Sequence, residues 1–521
     1  MQACSRFFPG FQPALVAGFI GVVLAAVAPR GLADVRLPAL FSDHMVLQRG
    51  IPIKVWGWAD EGESVTVEFR GQRVVAAPGV GGRWDATLKS ASAGGPFVLA
   101  VTGRNRVEVK DVLVGEVWLC SGQSNMEWPL SASAAPEADI ASAGNPNLRL
   151  FTVPKLKARE PVADVKASWQ LCSPATVPGF SAVGFYFGRA LQTALKVPVG
   201  MIHTSWGGSP AEVWMSEHVL RGDEEYRRQI VDTYAGSLAR YREALAEWER
   251  EKADAEAAGK RFEKGRPREP WRPSELYNGM IAPLVPFAVK GAIWYQGESN
   301  AGRAWQYRRL YADLIENWRR DWNQPDFYFL GVQLAPWDRN KNRNVAQILS
   351  DPVASDWAEL REAQGIVAKR LKGVGHAVIT DVGHKDDIHP PQKRPVGERL
   401  ALAARVIAYQ QRIHGLSPEF ESATFKNGKA VLRFANVGRG LVVRGDRLVG
   451  FVIAGPDQKF VRAEARLVGN QVVVSHPDVP EPVAVRFGWA DYPIVNLFSA
   501  DGLPVSPFRT DDWPLLTQPK P

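Results

Sequence analysis

The sequence contains 521 residues, of which 45% are hydrophobic, and it carries a formal net charge of +8 at pH 7. This length and apolar content are sufficient for a large core and two or three domains, and they exclude a disordered or fibrous chain. The basic residues are dispersed among acidic ones and form no run with interleaved aromatics, so the charge gives no indication of nucleic-acid binding.

An N-terminal leader is indicated by the apolar run at residues 14–28, which precedes the small residues Gly31 and Ala33. The run is shorter than the roughly 20 residues that a helix needs to cross a bilayer, which disfavours a membrane anchor. We therefore interpret residues 1–33 as a cleaved signal peptide. We expect a periplasmic or secreted protein with no membrane contact in its mature form.

Two cysteines, Cys120 and Cys172, remain after the leader. An exported chain can form a disulfide between them, but Cys120 ends an apolar stretch where a small buried thiol fits equally well. Both alternatives stay open.

The pattern of strands and helices divides the mature chain into three parts. Short alternating strands with Gly-containing turns predict a β-domain at residues 34–110 and a second one at residues 415–521. Between them, at residues 111–414, apolar strands alternate with helical stretches, which predicts a parallel sheet with helices on both faces. A charged segment at 223–264 is interpreted as a helical insertion. The strands predicted for the middle part are 112–120, 197–204, 289–295, 327–332 and 377–380.

The segment SGQSNM at residues 121–126 follows the first of these strands. In a parallel sheet, the carboxyl ends of the strands border the ligand-binding crevice. A serine on this turn, such as Ser124, exposes its hydroxyl there, although Ser121 and Ser124 are also typical helix caps. From this segment alone, a serine exposed at the crevice and a serine that caps a helix are equally supported.

The segment DDIHP at residues 386–390 follows the strand predicted at 377–380 and precedes a helix predicted at 396–409. A serine nucleophile needs an imidazole as its base, and the imidazole needs a carboxylate to orient it. His389 provides the imidazole, with Asp386 and Asp387 as candidate carboxylates. The alternatives are a surface histidine and a metal site that includes His384.

Two further polar turns end strands of the same sheet: SWGGS at residues 205–209 and WYQGESN at residues 294–300. Their glycines allow a backbone N–H to approach a substrate oxygen, and their amides and carboxylate can contact a ligand. Each could be an ordinary loop, but four such turns at one edge of a sheet indicate a catalytic crevice.

These segments also carry a family resemblance. GQSN at 122–125, QGES at 296–299 and DIHP at 387–390 are accompanied by LPALFSDHMVLQ at 37–48, YNGM at 277–280, FGWA at 487–490 and SPFR at 506–509. In these motifs, over nearly the whole mature chain, the sequence resembles the sialate O-acetylesterase family of the SGNH hydrolases. The resemblance implies a flavodoxin-like α/β domain with accessory β-sandwich-like modules at both ends. It also implies a serine esterase that removes acetyl groups from sugars through an acetyl-enzyme, without metal or organic cofactor.

The resemblance assigns roles to individual residues. Ser124 is the expected nucleophile and His389 the expected base. The expected oxyanion hole combines the N–H of Ser124, an N–H from Gly207 or Gly208, and the side chain of Gln296, which stands where other SGNH enzymes have asparagine. The superfamily spacing slightly favours Asp386 as the triad acid, whereas closer relatives point to Asp387. The residues expected to bind substrate are Gln123, Asn125, Trp206, Glu298 and Asn300.

The substrate expected from the resemblance is an O-acetylated saccharide. Trp128 and Trp206 are placed to stack on sugar rings. O-acetyl sialic acid would need a cation, for which Arg303 and Arg361 are candidates, whereas acetylated xylan or xyloglucan would not. Two competing hypotheses are a non-catalytic carbohydrate-binding protein and a metal-dependent hydrolase.

Overall fold

The computed structural model describes residues 34–350 and 354–520. The predicted leader, residues 1–33, lies outside them. Within the described ranges, no helix is both long and apolar enough to span a bilayer.

The centre of the protein is a sheet in which six strands run parallel in the order β13-β12-β11-β7-β10-β8, with β9 antiparallel at the outer edge of β8. The chain crosses to opposite sides of β7 when it forms β10 and β11, so a crevice opens beyond the carboxyl end of β7. The predicted α/β class is confirmed. The strands are β7 Arg106–Gly122, β8 Asn145–Thr152, β9 Gln170–Cys172, β10 Val199–Ser205, β11 Gly291–Tyr295, β12 Tyr328–Val332 and β13 Val374–Ala377.

Helices cover both faces of this sheet. Alternate side chains of β7 enter different hydrophobic clusters, Trp118 with α3 and α10 on one face, and Val117 with α7 and α9 on the other. This arrangement explains why the central strands read as continuous apolar runs. In the described residues the helices are α1 Ser124–Glu127, α2 Glu137–Ala141, α3 Ala182–Leu195, α4 Glu217–Gly222, α5 Glu224–Tyr226, α6 Tyr234–Ala257, α7 Ala304–Trp322, α8 Val345–Ser350, α9 Asp356–Arg370 and α10 Arg394–Ile407.

The N-terminal strands are joined to the central sheet by β7, which is 17 residues long. Its first part pairs antiparallel with β6, and Leu113 to Gly115 pair in parallel with β1. The boundary predicted between residues 110 and 111 therefore falls inside one strand. At this point the alternation of buried and exposed residues gives way to a continuous buried run. The strands of this part are β1 Val46–Gln48, β2 Ile53–Trp58, β3 Val65–Phe69, β4 Gln72–Ala76, β5 Arg83–Leu88 and β6 Gly94–Thr102.

The charged segment at 223–264 forms the helix predicted from its composition. Its main element, α6, spans 24 residues and buries none of them. It is stabilised by local pairs such as Lys252 with Glu256, so it contributes no core to the sheet.

The C-terminal strands enclose their own hydrophobic cluster, which includes Leu432, Ile453, Val472 and Phe487. They form the four-stranded sheets β14-β15-β20-β19 and β18-β17-β21-β23 and the pair β16-β22. Their bounds are β14 Glu419–Lys426, β15 Lys429–Ala435, β16 Leu441–Val443, β17 Phe451–Ala454, β18 Val461–Arg462, β19 Glu464–Val468, β20 Gln471–Ser475, β21 Ala484–Phe487, β22 Leu497–Ser499 and β23 Phe508–Arg509.

Cys120 and Cys172 are both free, buried thiols. Burial raises the pKa of both, for Cys172 to about 12. Of the two alternatives that the sequence left open, the structure has the thiols and not the disulfide.

Candidate active site

Ser124 is the first residue of α1 and lies immediately beyond β7 at the crevice. The turn before it depends on Gly122, which has a φ of 137°. A Cβ at this position would lie 2.2 Å from the carbonyl oxygen of Tyr295 on β11, so only glycine allows the chain to leave the sheet here. The turn leaves Ser124 half-buried, with its side chain on the crevice.

His389 lies on the loop between β13 and α10, directly opposite Ser124. Its Nε2 is 2.8 Å from Ser124 Oγ. The indole of Trp128 stacks on the imidazole, with ring centroids 5.3 Å apart and planes 20° from parallel. Burial, together with the positive charge of Lys393, lowers the pKa of His389, which favours the neutral form that can accept a proton.

The two aspartates before His389 have different partners. Asp386 Oδ1 accepts from Lys385 Nζ at 2.5 Å, and this bond lowers the pKa of Asp386. Asp387 Oδ1 lies 3.4 Å from His389 Nδ1 and accepts from the His389 backbone N–H at 2.9 Å. The geometry therefore favours Asp387, against the slight preference for Asp386 that the spacing gave.

The backbone N–H of Gly207, expected in the oxyanion hole, donates to Glu127 Oε2 at 2.6 Å. Within the part of the chain that the structure describes, that N–H is therefore engaged, and of the two alternatives Gly207 and Gly208 only the second remains free to donate. The next glycine, Gly208, is exposed and has a φ of 74°. Among the described residues, the N–H groups of Gly208 and Ser124 have no hydrogen-bond acceptor.

Gln296 also differs from its expected role as an oxyanion donor. Its side chain has no exposed surface, and Nε2 donates to Ser209 O at 3.2 Å and to Asn300 Oδ1 at 2.6 Å. Its Oε1 accepts from the hydroxyl of Tyr307 at 2.9 Å. Because the amide hydrogens of Gln296 are both engaged in the interior, this side chain links β11 to its neighbours and does not reach the crevice.

Three of the residues expected to bind substrate are buried beneath the crevice. Gln123 Oε1 accepts from two backbone N–H groups of the turn after β11. Asn125 has no exposed surface, and Asn300 is fixed by the N–H of Ala211 and by Glu212. These amides hold the strand ends together. Because all three are buried, a sugar cannot contact them.

The other two expected contacts have different positions. The carboxylate of Glu298 is buried, and burial raises its pKa. Trp206 remains partly exposed at the rim, where its ring packs edge-on against Trp271 at 5.5 Å. Trp206 is thus the one residue of the expected five whose side chain offers a surface to a saccharide.

Sequence reasoning missed three residues of this region. Trp271 donates from Nε1 to Gly208 O at 2.8 Å, and Glu127 joins Gly207 to Lys155. Glu127 directly follows the SGQSNM segment that carries Ser124, so its position could have been a signal. Trp271 lies outside every predicted strand, and no pattern in the sequence marked it as part of the site. The third, Lys393, follows the DIHP motif at the start of α10.

The two arginines considered for a substrate carboxylate are engaged elsewhere. Arg361 is fully buried and donates to four backbone carbonyl oxygens, two from the C-terminal part of the chain. Arg303 pairs with Glu212 and also donates to Gln306. Neither guanidinium lies free beside Ser124.

The surroundings of His384 do not resemble a metal site. Its Nδ1 accepts from the backbone N–H groups of Asp386 and Asp387 at 3.3 and 3.0 Å. Within residues 34–350 and 354–520, no group of three or more His, Cys, Asp or Glu side chains is arranged to hold a metal ion.

Comparisons with known proteins agree with this architecture. A family model described as carbohydrate esterase, sialic acid-specific acetylesterase, matches residues 255–401. The crystal structure of a carbohydrate acetylesterase from Xanthomonas citri has 40% sequence identity and a TM-score of 0.78, and the match covers 92% of this chain and all of that one. Sialate O-acetylesterase from Mus musculus is 29% identical over 77% of this chain and 78% of its own length. The Homo sapiens protein is 26% identical over 92% of both chains.

The fold and these matches show that the protein is a carbohydrate O-acetylesterase. Within this class, the chain belongs to the sialate O-acetylesterase family of carbohydrate esterases. The resemblance found in the sequence motifs is confirmed, and the hypothesis of a non-catalytic binding protein is wrong.

Proposed function

We propose that this esterase removes O-acetyl groups from a neutral, acetylated glycan through an acetyl-enzyme formed on Ser124. The observation that carries the proposal is the 2.8 Å distance between Ser124 Oγ and His389 Nε2 at the crevice. A serine hydroxyl within hydrogen-bonding reach of a neutral imidazole is the arrangement that activates a serine nucleophile.

The proposed reaction has two halves. His389 Nε2 takes the hydroxyl proton while Ser124 Oγ bonds to the acetyl carbonyl carbon. The carbon–oxygen bond to the sugar then breaks, and the sugar oxygen leaves with the proton from His389. Water attacks the acetyl-enzyme with the same base, which releases acetate and restores the Ser124 hydroxyl.

For the oxyanion we propose the backbone N–H groups of Ser124 and Gly208 as donors. Gly208 is supported by its exposure and by the anchoring of its carbonyl to Trp271 Nε1. Ser124 is supported by its place at the first position of α1, where an N–H lacks a partner within the helix. Donors fixed in advance cost little reorganisation when charge develops on the carbonyl oxygen.

We propose Asp387 as the residue that orients His389. Its carboxylate is 55% exposed, and its 3.4 Å separation from Nδ1 is longer than a hydrogen bond. Such contacts often tighten only when substrate is bound.

A neutral glycan is supported by the chemistry of the rim. Trp128, which stacks on His389, and Trp206 are both partly exposed, and rings of this kind can cover sugar faces. The candidate arginines for a sialic acid carboxylate are bound to other groups, and Lys155 is paired with Glu127. We propose acetylated xylan or xyloglucan as the substrate class, with O-acetyl sialic acid as the alternative substrate.

The test measures acetate release by the purified chain from acetylated xylan, acetylated xyloglucan and O-acetyl sialic acid side by side. Ser124→Ala should abolish release, and Ser142→Ala, a change of an exposed serine, should not. Acid quenching during turnover should trap one acetyl group on the peptide that contains Ser124. Activity that persists in Ser124→Ala would refute the nucleophile, and a preference for sialic acid would refute the substrate class.

A further inference from the structure

The buried side-chain amide of Asn125 joins the two segments that carry the proposed nucleophile and base. Asn125 follows Ser124 in the chain, and its Nδ2 donates to Ile388 O at 3.0 Å, on the residue before His389. The same Nδ2 donates to Glu298 Oε1 at 2.7 Å. Because Asn125 has no exposed surface, it fixes the spacing of the nucleophile and base segments from inside the protein.

The oxygen of this amide is bound by a lysine. Lys393 Nζ donates to Asn125 Oδ1, and the Lys393 side chain is 1% exposed. Nζ also lies 5.5 Å from the ring centre of Trp128, the indole that stacks on His389. A buried ammonium is costly unless it is compensated, so its position here indicates a role in the site.

Four titratable groups face Lys393. They are Glu298 on the turn after β11, Tyr295 at the end of that strand, and Asp387 and His389 on the catalytic loop. Burial lowers the pKa of Lys393 to about 7, while the carboxylates of Glu298 and Asp387 act in the opposite direction. Among the described residues, Glu298 Oε2 is buried and has no hydrogen bond. The positive charge of Lys393 compensates this buried carboxylate, and Asn125 lies between the two groups and is bonded to both.

We propose that Lys393 is a positioning residue of the esterase: through Asn125 it holds the segment of Ser124 against that of His389, with its ammonium group close to the indole that stacks on the imidazole. This inference rests on the proposed roles of Ser124 and His389. Lys393 contacts no reacting atom and acts only through its neighbours.

Two substitutions separate position from charge. Lys393→Met removes both the donor and the charge, whereas Lys393→Gln keeps an N–H donor for Asn125. With p-nitrophenyl acetate, Lys393→Met should lower kcat by about 10²-fold with little change in KM, since small misplacements of reacting groups cost about this much. Lys393→Gln should retain more of kcat. Both should move the acid limb of the pH profile to higher pH, because the charge that lowers the pKa of His389 is gone.

A double substitution tests the charge compensation. Lys393→Met combined with Glu298→Gln removes the carboxylate that the first change leaves uncompensated, and it should recover part of the lost kcat. The control is Lys426→Met on exposed β14, which should leave both kcat and the pH profile unchanged.

The possible results are distinguishable. Wild-type kcat in both Lys393 variants, or a loss of kcat with an unmoved acid limb, overturns the proposal for Lys393. If Lys393→Met fails to fold, the acid limb of Lys393→Gln decides. Activity in Ser124→Ala would instead overturn the proposed function, whatever Lys393 does.

Discussion

The carboxylate of Asp387 lies 3.4 Å from His389 Nδ1, which is the ring nitrogen that does not face Ser124. It also accepts the backbone N–H of His389, so the aspartate and histidine form one short turn. Asp386, one position earlier, is held by Lys385 instead. This difference separates two carboxylates that are adjacent in the chain.

We expect Asp387→Asn to lower kcat by about 10²-fold, less than the ~10⁴-fold effect at a buried triad aspartate, because this carboxylate is exposed. Asp386→Asn should change kcat by less than about 2-fold, since a surface pair with lysine contributes little. Initial rates of p-nitrophenyl acetate hydrolysis for the two variants provide the measurement. The reverse ranking would return the role to Asp386.

The pH dependence of the reaction should follow His389. Its pKa is lowered from the ordinary value of 6.5 by burial and by Lys393. The active base is neutral, so kcat/KM should rise with pH through a midpoint below 6.5 and then level off. Asp387 raises this pKa, so Asp387→Asn should move the midpoint to still lower pH. Rate profiles of both proteins between pH 4 and 8 test this, and a wild-type midpoint above 6.5 would contradict it.

Much of the fold could be predicted because the central strands are apolar on both faces and end in distinctive turns. The strand at 289–295 was found within two residues, and the one at 112–120 within two residues at its carboxyl end, although β7 begins at Arg106. β8 and β9 were missed because both are less apolar than the central strands, and β9, at the sheet edge, has only three residues. β13 ends at Ala377, where the predicted strand begins, since the apolar residues after it belong to the loop that carries His389.

The candidate site could be predicted only to the level of its turns. Ser124 and His389 come together because parallel strands end at one edge, and sequence patterns can reveal that edge. The direction of each side chain within a turn is set by tertiary contacts. Gln296 therefore looked like an oxyanion donor and Asn125 like a substrate ligand, although both side chains are buried in the interior.

The inward amide of Gln296 predicts a defect in stability. Gln296→Ala leaves the Tyr307 hydroxyl, Ser209 O and Asn300 Oδ1 with one fewer partner each in the buried interior. We expect the free energy of unfolding to fall by about 1–3 kcal/mol. Urea unfolding followed by tryptophan fluorescence measures it. Gln229→Ala, at an exposed position, should stay within about 0.5 kcal/mol of wild type. A stable Gln296→Ala with a lost oxyanion contribution to kcat would instead favour the original assignment.

The tryptophan pair at the rim predicts a change in substrate selectivity. Trp206 and Trp271 pack edge-on, and Trp271 is bonded to the carbonyl oxygen of Gly208, so we expect the rings to contact the sugar and not the acetyl group. Trp206→Ala should raise KM for acetylated xylan oligosaccharides by about 5-fold, equivalent to roughly 1 kcal/mol of ring contact. Its KM for p-nitrophenyl acetate should hardly change.

Trp271 combines two roles that a pair of substitutions can separate. Trp271→Phe keeps a ring but loses the 2.8 Å bond from Nε1 to Gly208 O. If that bond holds Gly208 as an oxyanion donor, kcat should fall for both the oligosaccharide and p-nitrophenyl acetate, because the donor is then less fixed when charge develops. Trp271→Ala should add the loss of ring contact, seen as a higher KM for the oligosaccharide alone. Equal kcat in Trp271→Phe and the wild type would show that the Gly208 turn keeps its geometry without the indole.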